Sequence, residues 1–306
     1  MNINLPPIQH LELLQEHDRL LGLKASVSRV VKAGDVILDA GCGTGILGLL
    51  ALKAGAEKVV AVDSHDLEFA KVLARENNLL ESVQYLQSDL ADLEPDDLPA
   101  FNVVMAMIYS GHPITDEGQV ALKHSICSKF LSSGGKLIPD RIRWHAYAYD
   151  LPNYDLKQYT YYFRQEILSV ANHLQLNFQP SWASDLSHRQ AWNWVIHPYS
   201  TELDSWAHLN RGSVFRLLSK QTEVADIQYG MQSSLLPEHI CFDIVESGRV
   251  TTIVWIRELW FEDILISSRK SISLVKQPVT VTPDEKYIAR LDQFWRSTNI
   301  ISLQKL

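Results

Sequence analysis

The stretch Val36-Ile37-Leu38-Asp39-Ala40-Gly41-Cys42-Gly43-Thr44-Gly45-Ile46-Leu47 joins a short apolar run to glycines at alternate positions and then to a second apolar run. An apolar run of this length reads as a buried strand, of the kind that parallel sheets use. Glycines at 41, 43 and 45 let the backbone turn sharply and approach a ligand closely, because a β-carbon there would occupy the ligand's space. The pattern predicts a strand, a ligand-cradling turn and a helix. A phosphate-binding loop is disfavoured because the Gly-Lys-Ser/Thr ending is missing. The dinucleotide fingerprint is met only loosely, by Gly43, Gly45 and Gly48.

The next apolar run, Lys58 to Asp63, ends in an acid 18 residues after Gly45. A carboxylate there can accept hydrogen bonds from both hydroxyls of a ribose, a device that dinucleotide enzymes share. A third run, Val83 to Leu90, carries Asp89 at its end. Each acid also has a structural reading, since Asp after a strand commonly caps the next helix or makes a turn.

Short strands alternate with helical segments from Leu11 to about Asp140, which implies a parallel sheet built from crossover units. Leu67 to Asn78 is one predicted helix, Phe101 to Ala106 the fourth strand, and Gly118 to Leu131 the helix before a turn at Ser132-Ser133-Gly134-Gly135. The fifth strand is Lys136 to Pro139. Beyond Arg141 the runs become rich in Trp, Tyr and β-branched residues, at Arg143 to Tyr149, His239 to Val245 and Arg249 to Phe261. These predict an antiparallel β domain, with Glu246-Ser247-Gly248-Arg249 as a hairpin turn between the last two. The domains expected are 1–140 for nucleotide binding and 141–306 for a β domain, with a helical arm at 155–176. None of the eight Trp lies in the nucleotide half, and most are read as core or interface packing.

At 306 residues and 46% hydrophobic, the chain has room for a full core in each of two domains. Its formal net charge of -8 offers no footprint for a polyanion, so nucleic acid is not expected as a partner. Three cysteines with no Cys-x-x-Cys pair suggest neither a disulfide framework nor a zinc site, and a reducing cytoplasm fits. No metal is proposed. The N-terminal residues show no charged segment followed by an apolar run, and no stretch of about 18 apolar residues occurs, so neither secretion nor membrane insertion is expected.

The Asp-x-Gly-x-Gly-x-Gly pattern resembles motif I of class I S-adenosylmethionine-dependent methyltransferases. Several further segments resemble the protein arginine methyltransferases within that class. His10 to Arg19 is similar to their His-x-x-Met-Leu-x-Asp-x-x-Arg-Thr segment, Lys53 to Val59 to their Ala-Gly-Ala-x-x-Val, and Leu137 to Arg141 to their Pro-Asp-Arg junction. The resemblance implies a Rossmann-like α/β methyltransferase domain followed by an antiparallel β-barrel-like domain with a dimerisation arm, and a homodimer. It implies S-adenosyl-L-methionine as cofactor, held by Arg19 at its methionine carboxylate, Asp63 at its ribose and Asp89 at its adenine amino group, with Asp39, Gly41, Gly43 and Gly45 forming the turn.

The resemblance breaks where the acceptor would bind. The family holds its substrate guanidinium with two glutamates on a loop after the fourth strand. Here the first position reads Met107, and counting back from Gly134-Gly135 puts the second at Glu117. A thioether accepts no strong charge-assisted hydrogen bond, so a guanidinium would be poorly paired. The Thr-His-Trp motif is also absent. The expected acceptor is a nitrogen or oxygen of a small molecule or peptide. Glu117 is expected to orient it or act as base, with His112 and Asp116 as further candidates on the segment Ile108 to Glu117. Arginine methylation, with Asp116 and Glu117 supplying both carboxylates, and a silent cofactor-binding scaffold are the other readings.

Overall fold

The structure, a computed structural model, describes residues 16–109, 113–150, 216–229, 237–290 and 300–306. The chain divides into two compact units. The first comprises 1–144, 225–235 and 257–268, and the second 145–224, 236–256 and 269–306.

The first unit is built on five parallel strands, β1 (Val36–Ala40), β2 (Lys58–Asp63), β3 (Val83–Gln87), β4 (Phe101–Met105) and β5 (Leu131–Ile138). Their order is β3-β2-β1-β4-β5, and all four pairings are parallel. Ile37, Leu38, Val59, Val60, Val62, Val103 and Val104 are all 1% exposed or less, so β1, β2 and β4 are covered on both faces. That explains why these strands read as continuous apolar runs rather than alternating ones. Helices α1 (His17–Val30), α2 (Ile46–Lys53), α3 (Glu68–Glu76) and α4 (Pro113–Phe130) accompany the sheet. In α3 the buried residues are Ala70 and Ala74, four apart on one stripe.

Two local expectations fail in this unit. Helix α4 begins at Pro113 rather than at Gly118, so Asp116 and Glu117 belong to its first turns and not to a loop. Proline suits the first helical position because its missing N–H would have no partner there anyway. The predicted turn at 132–135 lies inside β5 instead. The β4–β5 register jumps from Phe101↔Leu131 to Val103↔Lys136, and Gly134, at φ 76°, absorbs the surplus residues as an irregular bulge.

The β-rich part of the chain contains β6 (Arg141–Asp150), β7 (Arg216–Leu217), β8 (Thr222–Gln228), β9 (His239–Asp243), β10 (Gly248–Phe261), β11 (Ile264–Val281), β12 (Lys286–Arg290), β13 (Ile300–Ile301) and β14 (Leu303–Lys305). One sheet has the order β13-β11-β10-β6-β7, with β8 also pairing β6, and a second the order β14-β12-β9. The hairpin expected at Glu246-Ser247-Gly248-Arg249 does not form, because β9 pairs with β12 while β10 lies between β11 and β6. The Val245 and Glu246 N–H groups donate to the Leu218 carbonyl at 2.8 and 3.3 Å, which commits them away from a β9–β10 ladder. The hairpin instead joins β10 to β11 through Glu262 and Asp263, with Glu262 at φ 52°. Trp144 and Trp255 are buried at 1% and 0%, and the Trp255 indole donates to Ser273 Oγ at 2.8 Å. The expected arm at 155–176 lies outside the described residues. Among the described residues no helix is long and apolar enough to cross a membrane.

Helix α1 meets the start of β11 at Gly22. A β-carbon there would lie 2.7 Å from Ile266 Cα and 2.9 Å from the Leu265 carbonyl oxygen, both backbone atoms. Arg29, on the same helix, pairs with Asp263 and Glu262 in the β10–β11 turn. Gly→Ala inside an unhindered helix stabilises by up to about 1 kcal/mol. Gly22→Ala is expected to do the opposite, costing about 1–3 kcal/mol by overpacking. Urea unfolding of the two proteins checks the sign, and a more stable variant would disprove the contact.

Candidate functional site

The strand order reverses at β1. From there the chain builds β2 and β3 on one side and then β4 and β5 on the other, and open sheets of this kind bind ligands beyond the carboxyl ends of such strands. The glycine turn sits at that point. Gly41, Gly43 and Gly45 have φ of 70°, 53° and 72°, a region that only glycine enters cheaply. A β-carbon on Gly41 would come within 3.0 Å of Ile108 Cγ1, so the segment after β4 lies directly against the turn.

Two carboxylates hold this turn in shape. Asp63, the last residue of β2, accepts the Gly43 N–H on Oδ2 at 2.8 Å. Its Oδ1 accepts the His65 N–H at 3.0 Å and faces His65 Nδ1 at 2.8 Å. Asp39 lies beneath the turn, within β1 and 1% exposed, and accepts the Gly48 N–H of α2 on Oδ2 at 2.9 Å. Burial pushes its pKa up to about 7, with the Gly48 hydrogen bond opposing the shift and the charge of Asp63 adding to it. Burial likewise raises the Cys42 thiol far above its ordinary range, so this cysteine is packing inside the turn rather than a nucleophile. Asp89 stands just past β3, half-buried, and accepts the Ala91 N–H on Oδ1 at 3.0 Å.

Beyond β4 the chain runs Ala106-Met107-Ile108-Tyr109, and here α4 and β10 converge on it. Lys123 of α4 is fully buried, donates from Nζ to the Ile108 carbonyl at 2.6 Å, and stands 3.0 Å from the centre of the Tyr109 ring. The Arg257 guanidinium of β10 lies 5.0 Å from the same ring. The Tyr109 and Tyr229 hydroxyls are 3.4 Å apart, and the Tyr229 ring meets the His124 ring edge-on at 5.8 Å. Arg19 of α1 belongs to the same electrostatic neighbourhood. Burial first, and then the charge of Arg257, pushes its pKa down to about 10.

Gly41, Gly43, Gly45, Asp39, Asp63, Asp89 and Arg19 are thus all described. His112 lies outside the described residues, and Asp116 and Glu117 are placed by the backbone of α4 alone. Reasoning from sequence missed three participants. Gly48, weighed only as part of a loose dinucleotide fingerprint, is one, since its β-carbon would meet Val59 Cγ1 at 3.0 Å and Asp39 Oδ2 at 3.3 Å. Arg257 had a usable signal, a lone cation inside the apolar run Val250 to Leu259. Lys123 had none, because a lysine on an amphipathic helix ordinarily faces water.

The structure fits the adenosyl group of S-adenosylmethionine. Three glycines of the turn hold left-handed φ, and an acid stands at the end of the adjoining strand where a ribose would lie. The family model of ribosomal protein L11 methyltransferase (PrmA) matches residues 20–120. The chain is 31% identical over 138 residues to the ribosomal protein arginine N-methyltransferase rmt3 of Schizosaccharomyces pombe, a stretch covering 44% of this chain and 25% of that protein. It is 29% identical over 166 residues to the probable protein arginine N-methyltransferase 6.2 of Oryza sativa subsp. indica, covering 53% of this chain and 40% of that one. The matches thus span well under half of either relative's length. Among solved structures, PRMT6 with SAH superposes at a TM-score of 0.64 with 15% identity, covering 98% of this chain and 100% of that one. The Trypanosoma brucei PRMT1 enzyme-prozyme complex superposes at 0.62, also with 15% identity, covering 92% and 86%. The fold is that of class I, S-adenosylmethionine-dependent methyltransferases, here with a following antiparallel β part, and the chain is most like the arginine methyltransferases among them.

The raised pKa of Asp39 has a thermodynamic consequence. Its neutral form is favoured in the folded state, so its contribution to stability is complete below the unfolded value near pH 4 and is lost as pH rises to about 7. Asp39→Asn removes that loss. The stability difference, variant minus wild type, is expected to grow between pH 4 and 7 by about 4 kcal/mol at most, from 1.36 kcal/mol per pKa unit. Urea titrations at several pH values across that window measure it, and a pH-independent difference would rule it out.

Proposed function

We propose that this protein is an S-adenosylmethionine-dependent methyltransferase that acts on a nitrogen or oxygen of a small molecule or peptide. The observation that carries this reading is the turn of three left-handed glycines tied through Gly43 to Asp63 at the sheet's reversal point. Bound there, S-adenosylmethionine supplies an electrophilic sulfonium methyl. Asp63 would hold the ribose, Asp89 the adenine amino group and Arg19 the methionine carboxylate, a bidentate task suited to guanidinium. Asp39 acts through the backbone, fixing α2 beneath the turn.

The chain's remaining task is to bring an acceptor into line with the methyl and to take a proton where the acceptor must lose one. The segment after β4 is packed against Gly41, so an acceptor bound beside Met107 and Tyr109 would lie next to the cofactor. Glu117, Asp116 and His112 are the groups proposed to orient it or accept its proton. The Tyr109 ring, whose face is the natural seat for a cationic acceptor, is already met by Lys123 and Arg257. With Met107 in place of a carboxylate, this favours a neutral or differently charged acceptor over a guanidinium. Arginine is the second reading, supported by the arginine methyltransferases among the relatives. A homodimer and a cytoplasmic setting complete the proposal. The second is consistent with three free cysteines.

Three experiments test this reading. Asp63→Ala should weaken cofactor binding by about 1–3 kcal/mol in calorimetric titration, and unchanged affinity in a folded variant would remove Asp63 from the site. Labelled methyl transfer into an extract of the source cells, with products separated by size, identifies the acceptor. Label in small molecules or peptides supports the first reading and methylarginine in protein supports the second. Glu117→Gln should lower turnover far more than cofactor affinity, and an equal loss of both would assign Glu117 a structural role.

A further inference from the structure

We propose that the His65 imidazole occupies one of the two acceptor positions that the cofactor's ribose needs on Asp63, and that it swings out when the cofactor binds. The proposal rests on Asp63 being the ribose acid. It follows from counting hydrogen-bond positions. A carboxylate offers about four lone-pair sites, two on each oxygen. On Asp63 the Gly43 N–H takes one on Oδ2 at 2.8 Å, while the His65 N–H and Nδ1 stand at both sites of Oδ1, at 3.0 and 2.8 Å. One site is left, whereas a ribose presents two hydroxyl donors.

One of the three donors must therefore leave, and only one of them can. The Gly43 and His65 N–H groups belong to the backbone of the turn and of the segment that follows β2, and moving either would dismantle the cradle. The imidazole is a side chain, already 40% exposed, and can reach water by rotation about its own torsions. The Ser64 hydroxyl, 3.3 Å from the same Nδ1, is the other polar group beside it. In the free protein His65 thus keeps the buried acid paired, and on binding it gives way to a hydroxyl. The exchange lowers apparent cofactor affinity by the net strength of one hydrogen bond.

The test is calorimetric titration of S-adenosylhomocysteine into wild type, His65→Ala and His65→Gln. His65→Ala is expected to bind about three- to tenfold tighter, the range that one hydrogen bond's net free energy gives at about 1.4 kcal/mol per tenfold. His65→Gln, which retains an N–H donor, should gain less. The gain should vanish for an analogue lacking the 2′ and 3′ hydroxyls, a readout that a merely structural effect of the substitution would not produce. Unchanged or weaker binding by His65→Ala overturns the proposal and makes the imidazole an orienting group for Asp63. Absence of binding by wild type would instead overturn the cofactor reading on which the proposal rests.

Discussion

Two backbone amides held by two acids carry the functional end of the sheet, the Gly43 N–H on Asp63 and the Gly48 N–H on Asp39, at 2.8 and 2.9 Å. Glycines at left-handed φ are free to adopt a cradle but are equally free to leave it, because glycine loses the most backbone entropy on ordering. The acids remove that freedom from opposite sides. Asp63 ties the turn to the adjoining strand, while Asp39 ties the first turn of α2 to β1. Gly48 must then be glycine for a reason unrelated to φ, since its β-carbon would press on Val59 and on the Asp39 carboxylate it serves.

The segment after β4 depends on this cradle, because Ile108 packs against Gly41. What holds Ile108 in place is Lys123, whose ammonium has exchanged water for the Ile108 carbonyl and the face of Tyr109. Burial of a lysine is tolerable only where such partners replace its hydration. The segment that would receive an acceptor is thus braced by protein cations, a different solution from a pair of loop carboxylates.

The Pro139-Asp140-Arg141 junction shows a similar concentration of bonds. The Asp140 N–H donates to the Trp260 carbonyl, its carbonyl accepts from Tyr229, and its carboxylate accepts the Glu262 N–H. Arg141 pairs with Asp226, which Arg143 also reaches at 3.1 Å while lying over the Trp260 ring. These contacts explain why residues 225–235 and 257–268 belong with the first unit although the β-rich character of the sequence begins at Arg141.

Strands β1, β2 and β4 and the glycine turn were legible in the sequence because buried parallel strands need unbroken apolar runs and left-handed turns need glycine, so chemistry and geometry coincide residue by residue. The start of α4 was obscured because His112-Pro113 reads as a turn, although proline is equally suited to the first helical position. The β9–β10 pairing was misread because a Ser-Gly turn signal says that the chain bends, not which strand it meets afterwards. The β10–β11 hairpin was missed because Glu262 holds a left-handed φ without being glycine or asparagine. By itself the sequence determined the class of fold, the cradle and its acids, since these are local patterns of one strand, one turn and one helix. The surroundings of Tyr109 and the burial of Lys123 and Arg257 were decided only by tertiary structure, because each depends on distances between side chains whose neighbours no local pattern names.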